Sequence, residues 1–118
     1  MAENPREILN EFNQGASNLA KADPERMQAW RGLAKVSFVG GALDAKTKEL
    51  IAASLGLAIQ CKYCIVHHTY EALKAGATRE ELLEAAYTTI GMSGGPSFTY
   101  VATLFMDSIN EFAPDFGK

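Results

Sequence analysis

Apolar residues recur along most of this chain at spacings of three or four, and short breaks rich in Gly, Asp or Pro separate the stretches that carry them. The clearest stretch lies near the C-terminus and carries Phe98, Val101, Phe105, Ile109 and Phe112. That spacing places these residues on one face of a helix. Alternation with period two, which is typical of a half-buried strand, is nowhere sustained. The pattern therefore predicts an all-α fold, a compact bundle of about six helices.

The breaks predict where the helices begin and end. Asp and Pro favour the first positions of a helix, whereas Gly favours the position just after its end. The predicted limits, in chain order, are Pro5 to Lys21; Asp23-Pro24 to Gly40-Gly41; a start capped by Asp44; Lys62 to Ala75, closed by Gly76; a capping box from Thr78 to Glu81; and a last helix after Gly94-Gly95-Pro96.

Two faces of the third helix differ in the size of their residues. One face is mostly large and apolar, with Leu50, Ile51, Ser54, Leu55 and Ala58. The other is mostly small, with Glu49, Ala52, Ala53 and Gly56, and there we expect a neighbouring helix to approach closely. Elsewhere we predict that Trp30 lies in the core or at an interface. The packing residues predicted from the last helix are Phe98, Val101, Phe105 and Phe112, and its wide apolar face is a candidate contact with another copy of the chain.

Composition and charge narrow the class of protein. The chain has 118 residues, the size of one domain, and we treat residues 1–118 as a single helical domain. Its formal net charge is −3 and it has no Lys/Arg cluster, which argues against nucleic-acid binding. No apolar stretch approaches the ~20 residues that span a bilayer, and the polar start from Met1 to Glu7 leads into no signal-peptide core. We therefore expect a cytoplasmic protein that binds neither nucleic acid nor membranes.

The only two cysteines, Cys61 and Cys64, stand three residues apart. In a reducing compartment such a pair is more often catalytic or metal-binding than structural. Thiols at this spacing share a face of a helical turn, and a helix start offers unpaired N–H groups and a positive dipole end that favour the thiolate. A thiolate reacts with peroxides and disulfides, and a second thiol can then close a disulfide. The pair therefore predicts redox chemistry.

Two other interpretations of the pair stay open on these residues alone. The thiols can be buried apolar side chains without chemistry. They can also join a histidine in a zinc site, with Glu49, the other histidine or a second subunit as the fourth ligand. A haem-attachment motif is excluded because Ile65, and not a histidine, follows the second cysteine. We expect no cofactor.

Of the two histidines that follow the pair, His68 is the better placed. It lies four residues after Cys64, one turn along the same face, where it can take the thiol proton or pair with the thiolate. His67 lies three residues after Cys64 and points partly elsewhere. Glu49 lies in the first turn of the third helix, where an acid also complements the helix dipole without any catalytic role.

The pattern Glu49-x11-Cys61-Lys62-Tyr63-Cys64-x3-His68 resembles the signature of the carboxymuconolactone decarboxylase-like family, and within it the branch that contains alkyl hydroperoxidase D. The flanking residues also resemble that signature, with Lys46-x-Lys48-Glu49-Leu50-Ile51 at the start of the motif and Ala72-x3-Gly76-Ala77-Thr78-x2-Glu81-Leu82 after it. The resemblance extends from about Leu43 to Ile90. Tyr63 departs from the pattern, because the founding hydroperoxidase has a histidine between its cysteines.

The resemblance implies an all-α homo-oligomer, often a trimer or hexamer, that reduces hydroperoxides. It implies that Glu49 orients or deprotonates His68 and that His68 activates Cys64. Cys64 then attacks the hydroperoxide, and Cys61 resolves the product as a disulfide. A dithiol reductant, either a thioredoxin-like or a lipoyl protein, restores the pair. With a disulfide substrate, Cys61 could equally be the first to react.

Three functions are compatible with these residues. The first is a thiol-dependent peroxidase or disulfide reductase. The second is decarboxylation of a ring lactone, the activity that names the family, although such decarboxylases generally lack the redox pair. The third is a non-catalytic module for redox sensing or assembly. The cysteine pair favours the first function.

Overall fold

The structure, a computed structural model, describes residues 3–118; Met1 and Ala2, which begin the polar start considered above, lie outside the described residues. The first five helices are α1 (Pro5–Ala22), α2 (Pro24–Phe38), α3 (Ala45–Ala58), α4 (Lys62–Lys74) and α5 (Arg79–Ser93). The last helical region consists of α6 (Gly95–Tyr100), a π-helical segment (Val101–Phe105), α7 (Met106–Phe112) and a 3₁₀ turn (Ala113–Phe116). Residues 3–118 contain no strand, so the predicted all-α fold is confirmed.

Side-chain caps hold the helix starts where the sequence pattern predicts them. The carboxylates of Asp23 and Asp44 each accept a hydrogen bond from the backbone N–H three residues later. Thr78 and Glu81 make both hydrogen bonds of a capping box. Each cap pairs an N–H group that the first turn of a helix leaves without an intrahelical partner. The chain thus sets these helix boundaries locally.

The last predicted helix forms, but a π-helical segment interrupts it. Val101, Phe105 and Phe112 are buried as predicted, in the part of the helix that packs against α4 and α1. Phe98 is 54% exposed, so it does not pack in the interior of the chain, and its packing against another copy stays a prediction. A π turn takes more residues than an α turn, so the residues before it are rotated relative to those after it. Phe98 therefore leaves the buried face.

Helix α4 lies at the centre of the fold and packs against α1, α3, α7 and the π-helical segment. Its inward residues are almost inaccessible to solvent, namely Ile65, Val66, Thr69, Ala72 and Leu73. Its first turn and one lateral face stay partly accessible, and these carry the two cysteines and the two histidines. The fold therefore presents all four side chains at the accessible edge of its most buried helix.

The small face of α3 is the one that meets α4, as expected. Ala53 and Gly56 are buried there, whereas Ile51 and Leu55 on the large apolar face are 44% and 57% exposed. A Cβ atom on Gly56 would lie only 3.1 Å from the Cβ atom of Cys64. The large apolar face instead lines an open groove of about 440 Å³ between α3 and α5. Small residues thus let the two backbones come together.

Helix α2 is the least embedded of the long helices, with Met27 as its one buried residue. Trp30 is 63% exposed, so its predicted place in the core is wrong, and Leu33 and Val36 beside it are exposed as well. The alternative, that Trp30 lies at an interface, stays a prediction together with the homo-oligomer. None of the helices in residues 3–118 is both long enough and apolar enough to cross a membrane.

We expect Gly56→Ala to lower the free energy of unfolding by about 1–3 kcal/mol, the usual cost of an overpacked contact. The added methyl would lie 3.1 Å from the Cβ atom of Cys64 and 3.2 Å from the backbone nitrogen of Ile65, so α4 would have to shift. Gly15→Ala in α1 is the control, because a methyl group added there would meet no atom within 4 Å. Ala in a helix interior is favoured over Gly by roughly 0.5–1 kcal/mol. Thermal unfolding followed by circular dichroism should move Tm in opposite directions, and equal shifts would contradict the close approach.

Candidate active site

Cys61 is the N-cap of α4, so the cysteine pair lies at a helix start as its spacing predicts. The Cys61 sulfur accepts a hydrogen bond from the backbone N–H of Cys64 at 3.3 Å. The two cysteines form a disulfide, with their Cα atoms 5.2 Å apart. When the pair is reduced, the same N–H groups and the positive end of the helix dipole favour a thiolate at this place.

A tight reversal of the chain carries Cys61 to that position. Helix α3 ends at Ala58, and Gln60 then takes a left-handed conformation with φ of 59°, which residues other than Gly adopt rarely. The backbone N–H of Cys61 donates to the carbonyl of Gly56 at 2.9 Å. The reversal therefore places α3 and α4 side by side, with Gly56 directly against the redox turn.

Helix α3 begins at Ala45 and has no acid in its first turn, so the predicted place of Glu49 in that turn is wrong. Glu49 and His68 join α3 to α4 by a hydrogen bond of 2.7 Å between Glu49 Oε1 and His68 Nδ1. Their side chains are largely buried, with 13% and 18% of their surface exposed. If the carboxylate accepts the Nδ1–H of a neutral imidazole, the other ring nitrogen, Nε2, keeps a free lone pair. His68 lies one turn after Cys64 on the same helix, so that lone pair can serve as a base for the thiol.

Aromatic rings surround the two histidines. Phe38, the last residue of α2, stacks on His68 with ring centroids 5.3 Å apart and an interplanar angle of 11°. Phe12 of α1 lies against His67, with ring centroids 4.7 Å apart. The rings of His67 and His68 are also 4.7 Å apart. Neither phenylalanine was predicted to belong to the site. Both lie on other helices, and the sequence pattern does not tell which residues of separate helices meet.

His67 occupies a different environment from its neighbour. Burial, and to a lesser extent the positive charge that His68 can carry, lower the pKa of His67 from 6.5 to about 4, against a smaller opposing effect of Glu49. Its Nε2 atom lies 3.7 Å from Oε1 of Glu71, one turn along α4. Burial also raises the pKa of Glu71, since a charged carboxylate is poorly solvated there. His67 is therefore neutral at neutral pH.

Tyr63, one of the two residues between the cysteines, points towards α1. Its hydroxyl is hydrogen-bonded to Glu11, and this bond raises the pKa of the phenol. The ammonium of Lys62 lies 5.0 Å from the centre of the Tyr63 ring. Tyr63 also forms part of the wall of an apolar groove of about 710 Å³ between α1 and α2. It thus connects the redox turn with that groove.

The four residues singled out by the sequence pattern form two contacting pairs in the structure. Glu49 lies on α3, and the other three lie within about two turns at the start of α4. Glu49 contacts His68, and Cys61 is bonded to Cys64. His67 contacts His68 from the side and does not take its place. Within residues 3–118, no group of three or more His, Cys, Asp or Glu side chains is arranged to hold a metal ion, so the zinc interpretation gains no support.

The sequence model of the carboxymuconolactone decarboxylase family matches residues 24–107. An uncharacterised protein of Cupriavidus necator is 38% identical over 104 residues, which cover 86% of this chain and 92% of that protein. Uncharacterised protein 4 in the cox locus of Paracoccus denitrificans is 37% identical over 84 residues, which cover 70% of this chain and 76% of that protein.

Solved structures show the same similarity. An apo carboxymuconolactone decarboxylase family protein from Legionella pneumophila superposes with a TM-score of 0.83 at 38% identity, covering 97% of each chain. A family member from Thermotoga maritima, with a suggested involvement in antioxidative response, superposes with a TM-score of 0.76. It is 20% identical, and the match covers 93% of this chain and 96% of that one. The second similarity concerns the fold alone.

The burial of His67 predicts a pH-dependent stability. Its pKa is 6.5 in the unfolded chain and about 4 in the folded one, so between these values the unfolded chain binds more protons. Stability should therefore fall as the pH drops through this window, by up to about 3 kcal/mol at roughly 1.4 kcal/mol for each pKa unit. Above pH 6.5 the imidazole is neutral in both states and adds no slope.

The measurement is urea unfolding at pH 7, 5.5 and 4 for the native chain and for His67→Gln. The variant has no titrating group at this position and should lose correspondingly less stability across the window. Most other groups titrate in both proteins. The difference between the two plots of unfolding free energy against pH therefore reports mainly the titration of His67. Parallel curves would contradict the predicted effect of burial.

Proposed function

The chain belongs to the carboxymuconolactone decarboxylase family, and from that premise we propose that it is a thiol-dependent peroxidase similar to alkyl hydroperoxidase D. One observation carries the proposal. A Cys61–Cys64 disulfide lies at the start of α4, one helical turn before a histidine that is hydrogen-bonded to a buried carboxylate. A dithiol, a base and a group that orients the base are the parts that thiol peroxide chemistry requires.

In the first step His68 Nε2 takes the proton of the Cys64 thiol, while Glu49 holds the opposite nitrogen and stabilises the imidazolium. The thiolate attacks the terminal oxygen of the hydroperoxide, and the O–O bond breaks. Cys64 becomes a sulfenic acid, so its sulfur is oxidised. The departing alkoxide takes the proton from His68 and leaves as an alcohol.

In the second step the Cys61 thiol attacks the sulfur of the Cys64 sulfenic acid. A disulfide forms, and the hydroxyl leaves as water together with the thiol proton. An external dithiol, from a thioredoxin-like or a lipoyl protein, then reduces the disulfide by thiol exchange and is itself oxidised. The roles follow from position, because Cys64 shares a helix face with His68 whereas Cys61 lies at the chain reversal.

The proposal extends to assembly and location. Exposed apolar side chains on α2, including Trp30, Leu33 and Val36, support a homo-oligomer such as a trimer or hexamer, because water-exposed apolar surface of this kind is commonly covered by another subunit. A cytoplasmic location fits a cysteine pair that must be returned to the dithiol state in each cycle. The suggested antioxidative involvement of the Thermotoga protein accords with peroxide chemistry.

The central test adds one equivalent of an alkyl hydroperoxide to the reduced protein and follows intact mass and peroxide concentration together. We expect the protein to lose two hydrogen atoms for each peroxide consumed, since a dithiol becomes a disulfide. Cys64→Ala should consume no peroxide. Cys61→Ala should stop at a Cys64 sulfenic acid, which dimedone traps.

Two outcomes would contradict the peroxidase. The first is an unchanged mass although the thiols are reduced and accessible to an alkylating reagent. That result would favour disulfide exchange or a non-catalytic module over a peroxidase. A decarboxylase activity on a ring lactone that survives loss of both cysteines would favour the activity after which the family is named.

Glu49→Gln should slow peroxide consumption by roughly 10- to 100-fold, a part of the ~10²–10⁴-fold contribution typical of acid–base catalysis. The amide can still contact His68 but no longer stabilises its positive charge. Stopped-flow peroxide consumption at neutral pH measures the effect. Glu84→Gln on the exposed side of α5 is the matched control and should leave the rate unchanged. Equal rates in both variants would remove Glu49 from the mechanism.

A further inference from the structure

His67 has no part in the proposed peroxide cycle, yet its ring lies within a row of four rings. Phe12, His67, His68 and Phe38 follow one another with centroid separations of 4.7, 4.7 and 5.3 Å. The row joins three helices, because Phe12 belongs to α1 and Phe38 ends α2. His68 is thereby contacted by two rings and by the Glu49 carboxylate.

The groups that face His67 explain why its charge state matters. On α4 they are His68 and Glu71, whose carboxylate oxygen is 3.7 Å from His67 Nε2, and on α3 the nearest acid is Glu49. From α1 the facing side chain is the uncharged Phe12. Lys74 acts on this cluster by lowering the pKa of Glu71, against the effect of burial. A neutral His67 adds no positive charge next to His68, so it does not oppose an imidazolium there.

We propose that His67 is a positioning residue for His68. As a neutral ring wedged between Phe12 and His68, it prevents the His68 imidazole from turning away from Glu49 and from Cys64. The contact area and shape of the ring perform this task, and proton transfer by His67 is not required. The use of His68 as a base rests on the proposed function, whereas the positioning of its ring rests on the contacts alone.

A ring other than imidazole should therefore serve, provided that it is flat and uncharged. His67→Phe keeps a neutral ring at this position, whereas His67→Ala removes it. Without the wedge, His68 gains freedom to rotate about its side-chain bonds, and its hydrogen bond to Glu49 must then compete with water. The Cys64 thiolate loses a partner that is held in place, so the thiol should require a higher pH to ionise.

The experiment measures the rate of alkylation of Cys64 by iodoacetamide between pH 5 and 10. It uses the reduced full chain carrying Cys61→Ser, so that only one thiol reacts. We expect His67→Ala to move the midpoint of the profile upward by about one unit, which reduces the thiolate fraction about tenfold at pH values well below the midpoint. His67→Phe should restore the midpoint, with rates within about twofold of the parent. If the alanine variant does not fold, His67→Leu makes the same comparison with the volume kept and the flat ring removed.

A loss of stability alone must not be mistaken for loss of positioning. Ile109 is a buried core residue of α7 and not a member of the row of rings, so Ile109→Val should lower Tm while leaving the profile in place. If His67→Ala behaves in the same way, the proposal is overturned. The peroxide assay reports separately. A profile shifted in His67→Ala, without any peroxide turnover by the native chain, would end the peroxidase proposal but keep the role of His67. Full peroxide turnover with an unshifted profile would end the proposal for His67 and keep the peroxidase.

Discussion

The close contact between α3 and α4 at Gly56 is the constraint on which the site depends. The absence of a side chain there lets the backbone of the redox turn lie against α3. Because the chain reverses tightly at Gln60, moving back along α3 corresponds to moving forward along α4. Glu49, two turns before Gly56, thereby meets His68, one turn after Cys64, at 2.7 Å. A wider separation of the two helices would break this hydrogen bond first.

Burial and reactivity are divided between two sides of α4. One side is packed against α7 and the π-helical segment, and this packing fixes the axis of the helix. The other side carries the reactive groups under partial cover. His67 and His68 are adjacent in sequence, yet one is wedged against Phe12 with a pKa lowered to about 4, and the other is hydrogen-bonded to a carboxylate. Their different surroundings, and not their residue type, distinguish the proposed packing ring from the proposed base.

Tyr63 lies between the cysteines, where the founding hydroperoxidase has a histidine. Its hydroxyl is hydrogen-bonded to Glu11 of α1. The residue therefore belongs to the contact between α1 and α4 and to the wall of the α1–α2 groove. Through this hydrogen bond Tyr63 ties the redox turn to α1.

Local chemistry was sufficient to predict most of the helix limits and the place of the cysteine pair at a helix start. Caps at Asp23, Asp44 and Thr78 act within one turn, and the spacing of Cys61, Cys64 and His68 is a property of a single helix. Exposure was less predictable. Phe98 and Trp30 have the apolar character of core residues, but a π-helical segment rotates the first out of the interior and α2 leaves the second uncovered.

The partners of the site had to come from the tertiary structure. Phe12 and Phe38 lie more than twenty residues from the histidines that they contact, and helical periodicity carries no information about such distances. The same holds for burial, the larger cause of the lowered pKa of His67, because the local sequence does not determine how deeply a side chain is packed. Helix starts and the spacing within α4 were thus determined by the sequence, because they depend on neighbours a few residues away. The depth of each side chain and its ring contacts were decided only when the other helices packed around α4.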